Sequence, residues 1–184
     1  MRITGGRLVR RPLAAPAGDA TRPTTDRVRE ALFSALASRV DLDGARVLDL
    51  FAGSGALGLE ALSRGAASAT FVERHGPTLA VARRNALALD VAEACRFVRA
   101  DALAWLGRPP ASPFDVVLAD PPYALPEIPA LPARVQPRLA PGGVVVLEHD
   151  ARHAFDADPG LLWTRTYGRT VVSLFAADAE DGDA

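Results

Sequence analysis

Short apolar runs rich in β-branched residues alternate along the chain with stretches in which apolar residues recur at helical spacing. The apolar runs cover residues 47–51, 69–72, 96–98, 114–119 and 144–147. The helical stretches cover residues 56–64, 77–89 and 129–139, and glycine, aspartate or proline residues close them. Strands that alternate with helices in this way predict an α/β fold with a parallel, doubly wound sheet.

Both ends of the chain depart from this pattern. After residue 147, strand-like runs at residues 161–167 and 170–175 are joined by Gly168 and Arg169, which predicts a hairpin and an antiparallel end to the sheet. Near the amino terminus, residues 3–4 and 7–9 flank Gly5 and Gly6 and predict a second, small hairpin. A helix is predicted from about Asp26, because apolar residues at positions 28, 32, 35 and 36 recur at helical spacing.

Composition is that of one globular domain, but its charge is unevenly distributed. The chain has 184 residues, of which 49% are hydrophobic and 23% charged, with a net charge of -1. Residues 1–40 carry eight arginines against three acids, whereas four acids lie within the last seven residues. We therefore divide a single domain, residues 1–184, into a basic arm (1–23), a catalytic core (24–176) and an acidic tail (177–184) that we expect to be disordered.

Several classes of protein do not fit the sequence. Residues 1–6 lack the apolar core of a signal peptide, and no run is long enough to span a membrane. We therefore expect a cytoplasmic protein without a membrane partner. Composition leaves the oligomeric state open, and we expect a monomer. Cys95 is the only cysteine, which excludes an internal disulfide, and with three scattered histidines we expect no metal site.

The segment from Asp49 to Gly58, DLFAGSGALG, is a strand end that runs into a glycine-rich turn and then a helix. The spelling Gly-x-Gly-x-x-Gly fits a dinucleotide site, although a tight turn with positive φ would use the same glycines. Glu73 closes the next strand about twenty residues on, where an acid can accept hydrogen bonds from ribose hydroxyls. The pattern therefore predicts a cofactor that carries a ribose, either NAD or S-adenosylmethionine.

S-adenosylmethionine fits the remaining residues better, since no group suited to hydride transfer is evident. We expect the helix that begins after Gly55 to face the methionine carboxylate and Asp49 to bind the ammonium. Asp101 and Ala102 are placed to contact the adenine edge. A helix cap at Asp101 is the structural alternative, and both roles can coexist. Phe51 either contacts the cofactor or packs in the core. The predicted cofactor residues are Asp49, Phe51, Ala52, Gly53, Gly55, Glu73, Arg74, Asp101, Ala102 and Asp120.

The apolar run at residues 114–119 ends at Asp120-Pro121-Pro122-Tyr123, the predicted catalytic residues. Open parallel sheets bind their ligands at this end of a strand. The prolines remove two backbone donors, so the Asp120 carboxylate and the Pro121 carbonyl can accept hydrogen bonds from an exocyclic amine while Tyr123 stacks on the base. A rigid Pro-Pro turn with a packed tyrosine is the structural alternative.

Together these motifs resemble a known family, the bacterial 16S rRNA guanine-N2 methyltransferases of the small ribosomal subunit. The resemblance covers nearly the whole chain and rests on RITGG at residues 2–6, RPTTDRVRE at 22–30, and residues 49–65, 120–123 and 167–170. The second motif is the most specific, because Asp-Pro-Pro-Tyr also occurs in DNA adenine enzymes. The resemblance implies a Rossmann-like class I methyltransferase fold, S-adenosylmethionine, and a guanine of 16S rRNA in the small subunit or its assembly intermediate.

Arginines near the amino terminus suit contacts with RNA phosphates. The predicted RNA-binding residues are Arg2, Arg7, Arg10, Arg11, Arg22, Thr25, Arg27 and Arg29. For three of these arginines, at positions 22, 27 and 29, the alternative is a solvated helix start paired with Asp26 and Glu30. Two other functions stay open: a DNA adenine-N6 methyltransferase, and an RNA-binding factor that kept the fold without turnover.

Overall fold

The structure is a computed structural model that describes residues 1–16, 26–109 and 112–177. Its helices are α1 (Asp26–Ala37), α2 (Ala56–Ser63), α3 (Gly76–Ala88), α4 (Ala102–Leu106) and α5 (Leu131–Val135). Its strands are β1 (Arg46–Leu50), β2 (Ser68–Glu73), β3 (Cys95–Arg99), β4 (Phe114–Ala119), β5 (Leu139–Asp150), β6 (Leu161–Tyr167) and β7 (Thr170–Ala176). Within these described ranges, no helix is long and apolar enough to cross a membrane.

The seven strands form one sheet in the order β3-β2-β1-β4-β5-β7-β6. Strands β1 to β5 run parallel to one another, whereas β7 is antiparallel to both β5 and β6. This arrangement confirms the predicted parallel core and the predicted antiparallel hairpin after it. The strand order reverses between β1 and β4, which is the point where open α/β sheets bind their ligands.

Apolar side chains pack on both faces of the sheet. Phe33 of α1 belongs to one buried cluster and Leu131 of α5 to the other, and both side chains are 0% exposed. Successive residues of β1, such as Val47 and Leu48, point into opposite clusters because side chains alternate along a strand. Burial on both faces explains why the central strands read as continuous apolar runs.

The helix predicted over residues 129–139 is wrong in its extent. The structure has a 3-10 turn at Ile128–Ala130, then α5, then a second 3-10 turn at Gln136–Arg138. A proline stands in the first positions of each piece, where its missing N–H does no harm, but three prolines cannot lie inside one continuous helix. Residue 139 begins β5, which is longer than the predicted run.

The amino-terminal hairpin is also paired differently from the prediction. Ile3 N–H donates to the Arg11 carbonyl at 3.0 Å and Arg10 N–H donates to the Ile3 carbonyl at 2.9 Å, so residues 1–3 face residues 10–13. The turn between them lies on α2, where Arg7 N–H donates to the Ser63 carbonyl at 2.8 Å. A tertiary contact therefore sets the register, and a local pattern could not reveal it.

Candidate active site

Four strands present neighbouring residues at the carboxyl edge of the sheet. Positions 50, 72, 119 and 147 of β1, β2, β4 and β5 are paired in register across these strands. The next residues along the strands, in sheet order, are Glu73, Phe51, Asp120 and Glu148. The register therefore places three carboxylates and one aromatic ring in a single row.

This row lines a cleft of about 490 Å³, a volume within the range of small-molecule sites. Predicted residues that line it are Phe51, Gly53, Glu73, Arg74, Asp101, Ala102 and the run Asp120, Pro121, Pro122 and Tyr123. The fold thus brings the glycine-rich turn and residues 120–123, called the Asp120 loop below, to one site although they are distant in the sequence.

Close packing shapes the glycine-rich turn. Ala52 is buried and its N–H donates to β2 at 3.1 Å, while Gly55 is buried with a φ of 80° and precedes α2. A Cβ on Gly58 would lie 2.4 Å from a ring carbon of Phe71, so glycine lets α2 approach β2 closely. Neither Ala52 nor Gly55 is among the residues that line the cleft, whereas Gly53 is. The backbone conformation at Gly55 and the close packing at Gly58 therefore explain these glycines whether or not they also contact a cofactor.

Glu73 is well placed to bind a ribose. Its Oε2 accepts a hydrogen bond from Gly53 N–H at 3.1 Å, and its Oε1 accepts one from His75 N–H at 2.8 Å. These bonds orient the carboxylate between the glycine-rich turn and the start of α3. Because an ionised carboxylate has about four acceptor sites, Glu73 can accept further hydrogen bonds from a ribose while it keeps both backbone contacts.

Asp101 caps α4, a helix that is not among the three stretches of helical spacing but that the capping alternative for Asp101 implied. Its Oδ1 accepts a hydrogen bond from Ala104 N–H at 3.0 Å, which confirms the capping alternative, and the residue also lines the cleft. Phe51, Val72 and Ala102 supply apolar surface in the same wall.

Asp49 lies beneath the cleft and does not line it. Its side chain is 1% exposed, and its Oδ2 accepts a hydrogen bond from Gly58 N–H at 2.9 Å. Burial raises the pKa of Asp49 to about 8, the Gly58 hydrogen bond opposes this rise, and the charge of Glu73 adds to it. The carboxyl is therefore mostly protonated near neutral pH, and its contact with an ammonium group stays a prediction.

The Asp120 loop is attached to the strands beside it through Tyr123. The tyrosine hydroxyl lies 3.2 Å from Thr170 Oγ1 and 3.4 Å from Glu148 Oε1. The Arg152 guanidinium donates to the Tyr123 carbonyl at 3.1 Å and to an Asp150 carboxylate oxygen at 2.7 Å. Tyr123 is therefore held both at its side chain and at its backbone.

Sequence reasoning missed Glu148, whose side chain is 3% exposed and which lines the cleft. A signal was present, because Glu148 follows the apolar run at residues 144–147 just as Asp120 follows the run at 114–119. Val72 and Leu125 also line the cleft and were missed. Apolar side chains such as these carry no sequence signal that separates a cleft wall from the core.

The predicted RNA-binding residues fall into three groups. The exposed residues are Arg2, Arg7, Arg10, Arg11 and Arg27. Arg22 and Thr25 lie outside the described residues, as do residues 178–184 of the predicted tail. The prediction that Arg29 binds RNA is wrong. Arg29 is 0% exposed and pairs with Asp26 at 2.8 Å and with Glu60 at 3.4 Å. A guanidinium buried in this way is not available to a phosphate. The pairing with Asp26 agrees with the alternative, but the second partner is Glu60 and not Glu30, and Arg29 is buried and not solvated.

Comparison with solved structures gives the class of the protein. The structure titled "Putative methyltransferase yhhF from Escherichia coli" matches this fold with a TM-score of 0.84 and 34% identity, over 98% of this chain and 99% of that chain. The fold and the site at its strand ends therefore define a Rossmann-like methyltransferase. Residues 1–176 match the family model described as "Conserved hypothetical protein 95", and the chain belongs to this family.

Two relatives are similar in sequence. "Putative rRNA methyltransferase YlbH" of Bacillus subtilis is 37% identical over 182 residues, which cover 95% of this chain and 98% of that protein. "Ribosomal RNA small subunit methyltransferase D" of Escherichia coli is 46% identical over 123 residues, which cover 67% of this chain and 60% of that protein. The similarity therefore extends over the full length of one relative and over less than two thirds of the other.

Proposed function

We propose that this protein uses S-adenosylmethionine to methylate the exocyclic N2 of a guanine in 16S rRNA, in the small ribosomal subunit or its assembly intermediate. The observation that carries the proposal is that Glu73 and the Asp120 loop open into the same cleft. The names of the two relatives supply rRNA as the class of substrate, and one of them supplies the small subunit. The family resemblance of the motifs supplies the guanine.

The residues of the cleft fit the proposed cofactor. S-adenosylmethionine supplies an electrophilic methyl group when it is bound. Glu73 accepts hydrogen bonds from the ribose, and the apolar wall formed by Phe51, Val72 and Ala102 holds the adenine. The amino end of α2 attracts the methionine carboxylate, while Asp49 lies below the turn as the partner for the ammonium.

Asp120 and Tyr123 hold the base. The target guanine leaves its RNA stack to enter the cleft, which costs a few kcal/mol, and stacking on Tyr123 returns about 1–3 kcal/mol. Asp120 and the Pro121 carbonyl accept hydrogen bonds from the amine and orient its lone pair. Bound S-adenosylmethionine would supply the methyl group to N2, and Asp120 or water would accept the proton that N2 then loses. Orientation of the two reactants supplies most of the acceleration.

The exposed arginines of the amino-terminal region bind the RNA backbone. Arg2, Arg10 and Arg27 border one shallow depression beside the amino-terminal turn, although Arg2 also pairs with Asp26 at 3.3 Å. Such a surface gives affinity that depends on charge and not on base sequence. The cleft then selects the nucleotide.

Substitution of Asp120 tests this division of roles. In Asp120→Ala we expect methyl transfer to isolated small subunits to fall by about 100-fold or more, as when a positioned acceptor is removed from an active site. Calorimetry with S-adenosylmethionine should show nearly unchanged affinity. The matched control is Asp43→Ala, an exposed aspartate before β1 at the opposite edge of the sheet, which should retain both properties.

Two outcomes would contradict the proposal. Equal loss of transfer and cofactor affinity in Asp120→Ala would mean that Asp120 serves the cofactor and not the amine. Failure of the unsubstituted protein to bind S-adenosylmethionine would favour an RNA-binding factor without turnover.

A further inference from the structure

Glu148 lies beside Asp120, and the roles proposed above do not use it. Ala119 and Leu147 are paired in register on β4 and β5, so Asp120 and Glu148 follow on parallel strands whose usual spacing is about 4.8 Å. The Glu148 side chain is 3% exposed, yet the residue lines the cleft. Two carboxylates therefore border the same part of the cleft, side by side.

We infer that Glu148 determines the base specificity of the enzyme by accepting a hydrogen bond from guanine N1–H. The inference rests on the proposed function, in which Asp120 binds the reacting amine. On its Watson–Crick edge, guanine presents the N2 amine and N1–H as adjacent donors, whereas adenine presents its amine beside an N1 acceptor. A carboxylate beside the group that binds the amine can accept a hydrogen bond from guanine N1–H. In adenine the same carboxylate would face the lone pair of N1 and be repelled.

The contacts of Glu148 suit this role. Its Oε1 lies 3.4 Å from the hydroxyl of Tyr123, and that hydroxyl lies 3.2 Å from Thr170 Oγ1, so the carboxylate and the stacking ring are fixed relative to each other. A carboxylate has about four acceptor sites, so the tyrosine hydroxyl and guanine N1–H can both donate to it. Because Glu148 is buried, its hydrogen bond with guanine N1–H is stronger than it would be in water, and its repulsion from the N1 lone pair of adenine costs more.

The test uses 2-aminopurine, which keeps the reacting amine but has an unprotonated acceptor at N1. Small subunits are reconstituted with guanosine or 2-aminopurine at the position that the enzyme methylates, and initial rates of methyl transfer are compared. The wild type should prefer guanine. Glu148→Gln should lower that preference by roughly 10- to 100-fold, the value of one hydrogen bond to a charged group, because a glutamine amide can donate to an N1 acceptor. Because 2-aminopurine also lacks O6, the wild-type preference alone does not isolate the contact with N1. The diagnostic quantity is the change in the guanine-to-2-aminopurine rate ratio between the wild type and Glu148→Gln.

Three further variants separate specificity from structure. Tyr123→Phe removes the hydroxyl contact but leaves the carboxylate, so it should keep the preference even at a lower rate. Glu148→Asp keeps the charge, so it should retain more of the preference than Glu148→Gln. The matched control is Glu93→Gln, an exposed glutamate in the turn before β3 at the opposite edge of the sheet, which should change neither rate nor preference.

The possible failures are distinguishable. If Glu148→Gln still binds the cofactor and its preference for guanine over 2-aminopurine is unchanged, the inference is overturned. The proposed function would then still stand. An equal loss of preference in Tyr123→Phe would show that Glu148 acts only by positioning the tyrosine, which also overturns it. Absence of methyl transfer to guanine by the wild type would overturn the proposed function itself.

Discussion

Asparagine at position 49 should make the folded protein more stable than the wild type at alkaline pH. The Asp49 side chain is 1% exposed, and burial raises its pKa from 3.8 to about 8. Between these two values the folded state holds a proton that the unfolded chain has released. The contribution of Asp49 to stability is therefore full below about pH 4 and is lost as the pH rises through about 8. At 1.36 kcal/mol per pKa unit, the loss has an upper limit of roughly 6 kcal/mol.

Asparagine imitates the protonated carboxyl in shape and keeps an acceptor for the Gly58 N–H. We expect Asp49→Asn and the wild type to have similar free energies of unfolding at or below about pH 4, and the variant to be more stable by a few kcal/mol at about pH 9. Urea unfolding followed by circular dichroism measures both values, with the exposed Asp43→Asn as control. Parallel pH profiles for wild type and Asp49→Asn would refute the reasoning.

The same variant tests the predicted ammonium contact. A cation beside Asp49 favours the ionised carboxylate, so cofactor binding near neutral pH should release a proton and strengthen as the pH rises toward about 8. Calorimetry with S-adenosylmethionine in two buffers of different ionisation enthalpy measures this release. Asp49→Asn should bind more weakly and release no proton from this position. Equal proton release by both proteins would place the ammonium elsewhere.

Three other substitutions test the amino-terminal region. Arg29→Met should lower the free energy of unfolding by about 3 kcal/mol, because it removes a buried cationic partner of Glu60, and a loss below about 1 kcal/mol would contradict that account. Gly6→Ala should weaken RNA binding but not cofactor binding, because Gly6 has a φ of 76° and an added Cβ would lie 2.0 Å from a carbonyl oxygen in α2 and displace the turn. Unchanged RNA affinity would show that this turn is not part of the RNA interface. Joint replacement of Arg10 and Arg27 with alanine should reduce the salt dependence of RNA binding by about 0.7 per lost phosphate contact, and an unchanged slope would exclude them from the interface.

Much of the fold was predictable because its signals are local. The central strands are buried on both faces, so each appears in the sequence as an uninterrupted apolar run. The same rule placed Glu73 and Asp120 at strand ends, and parallel pairing then required these ends to meet at one edge. Glu148 carried the same signal, yet its role depends on the register between β4 and β5, which becomes visible only in the sheet.

Two of the incorrect predictions involve contacts between distant parts of the chain. Arg29 looks like a surface arginine beside Asp26, but its second partner is Glu60 of α2. The pairing of residues 1–3 depends on Ser63, which no local pattern indicates. The break in the predicted helix at residues 129–139 is different, because the spacing of its prolines was already visible in the sequence.

Nucleoside analysis of methylated RNA tests the central claim most directly. Small subunits from a strain that lacks the gene are supplied with the protein and labelled S-adenosylmethionine, and the labelled nucleoside is identified after digestion of the 16S rRNA. The account predicts N2-methylguanosine with the wild type and almost none with Asp120→Ala. Label in N6-methyladenosine, or no label with a protein that binds the cofactor, would contradict it.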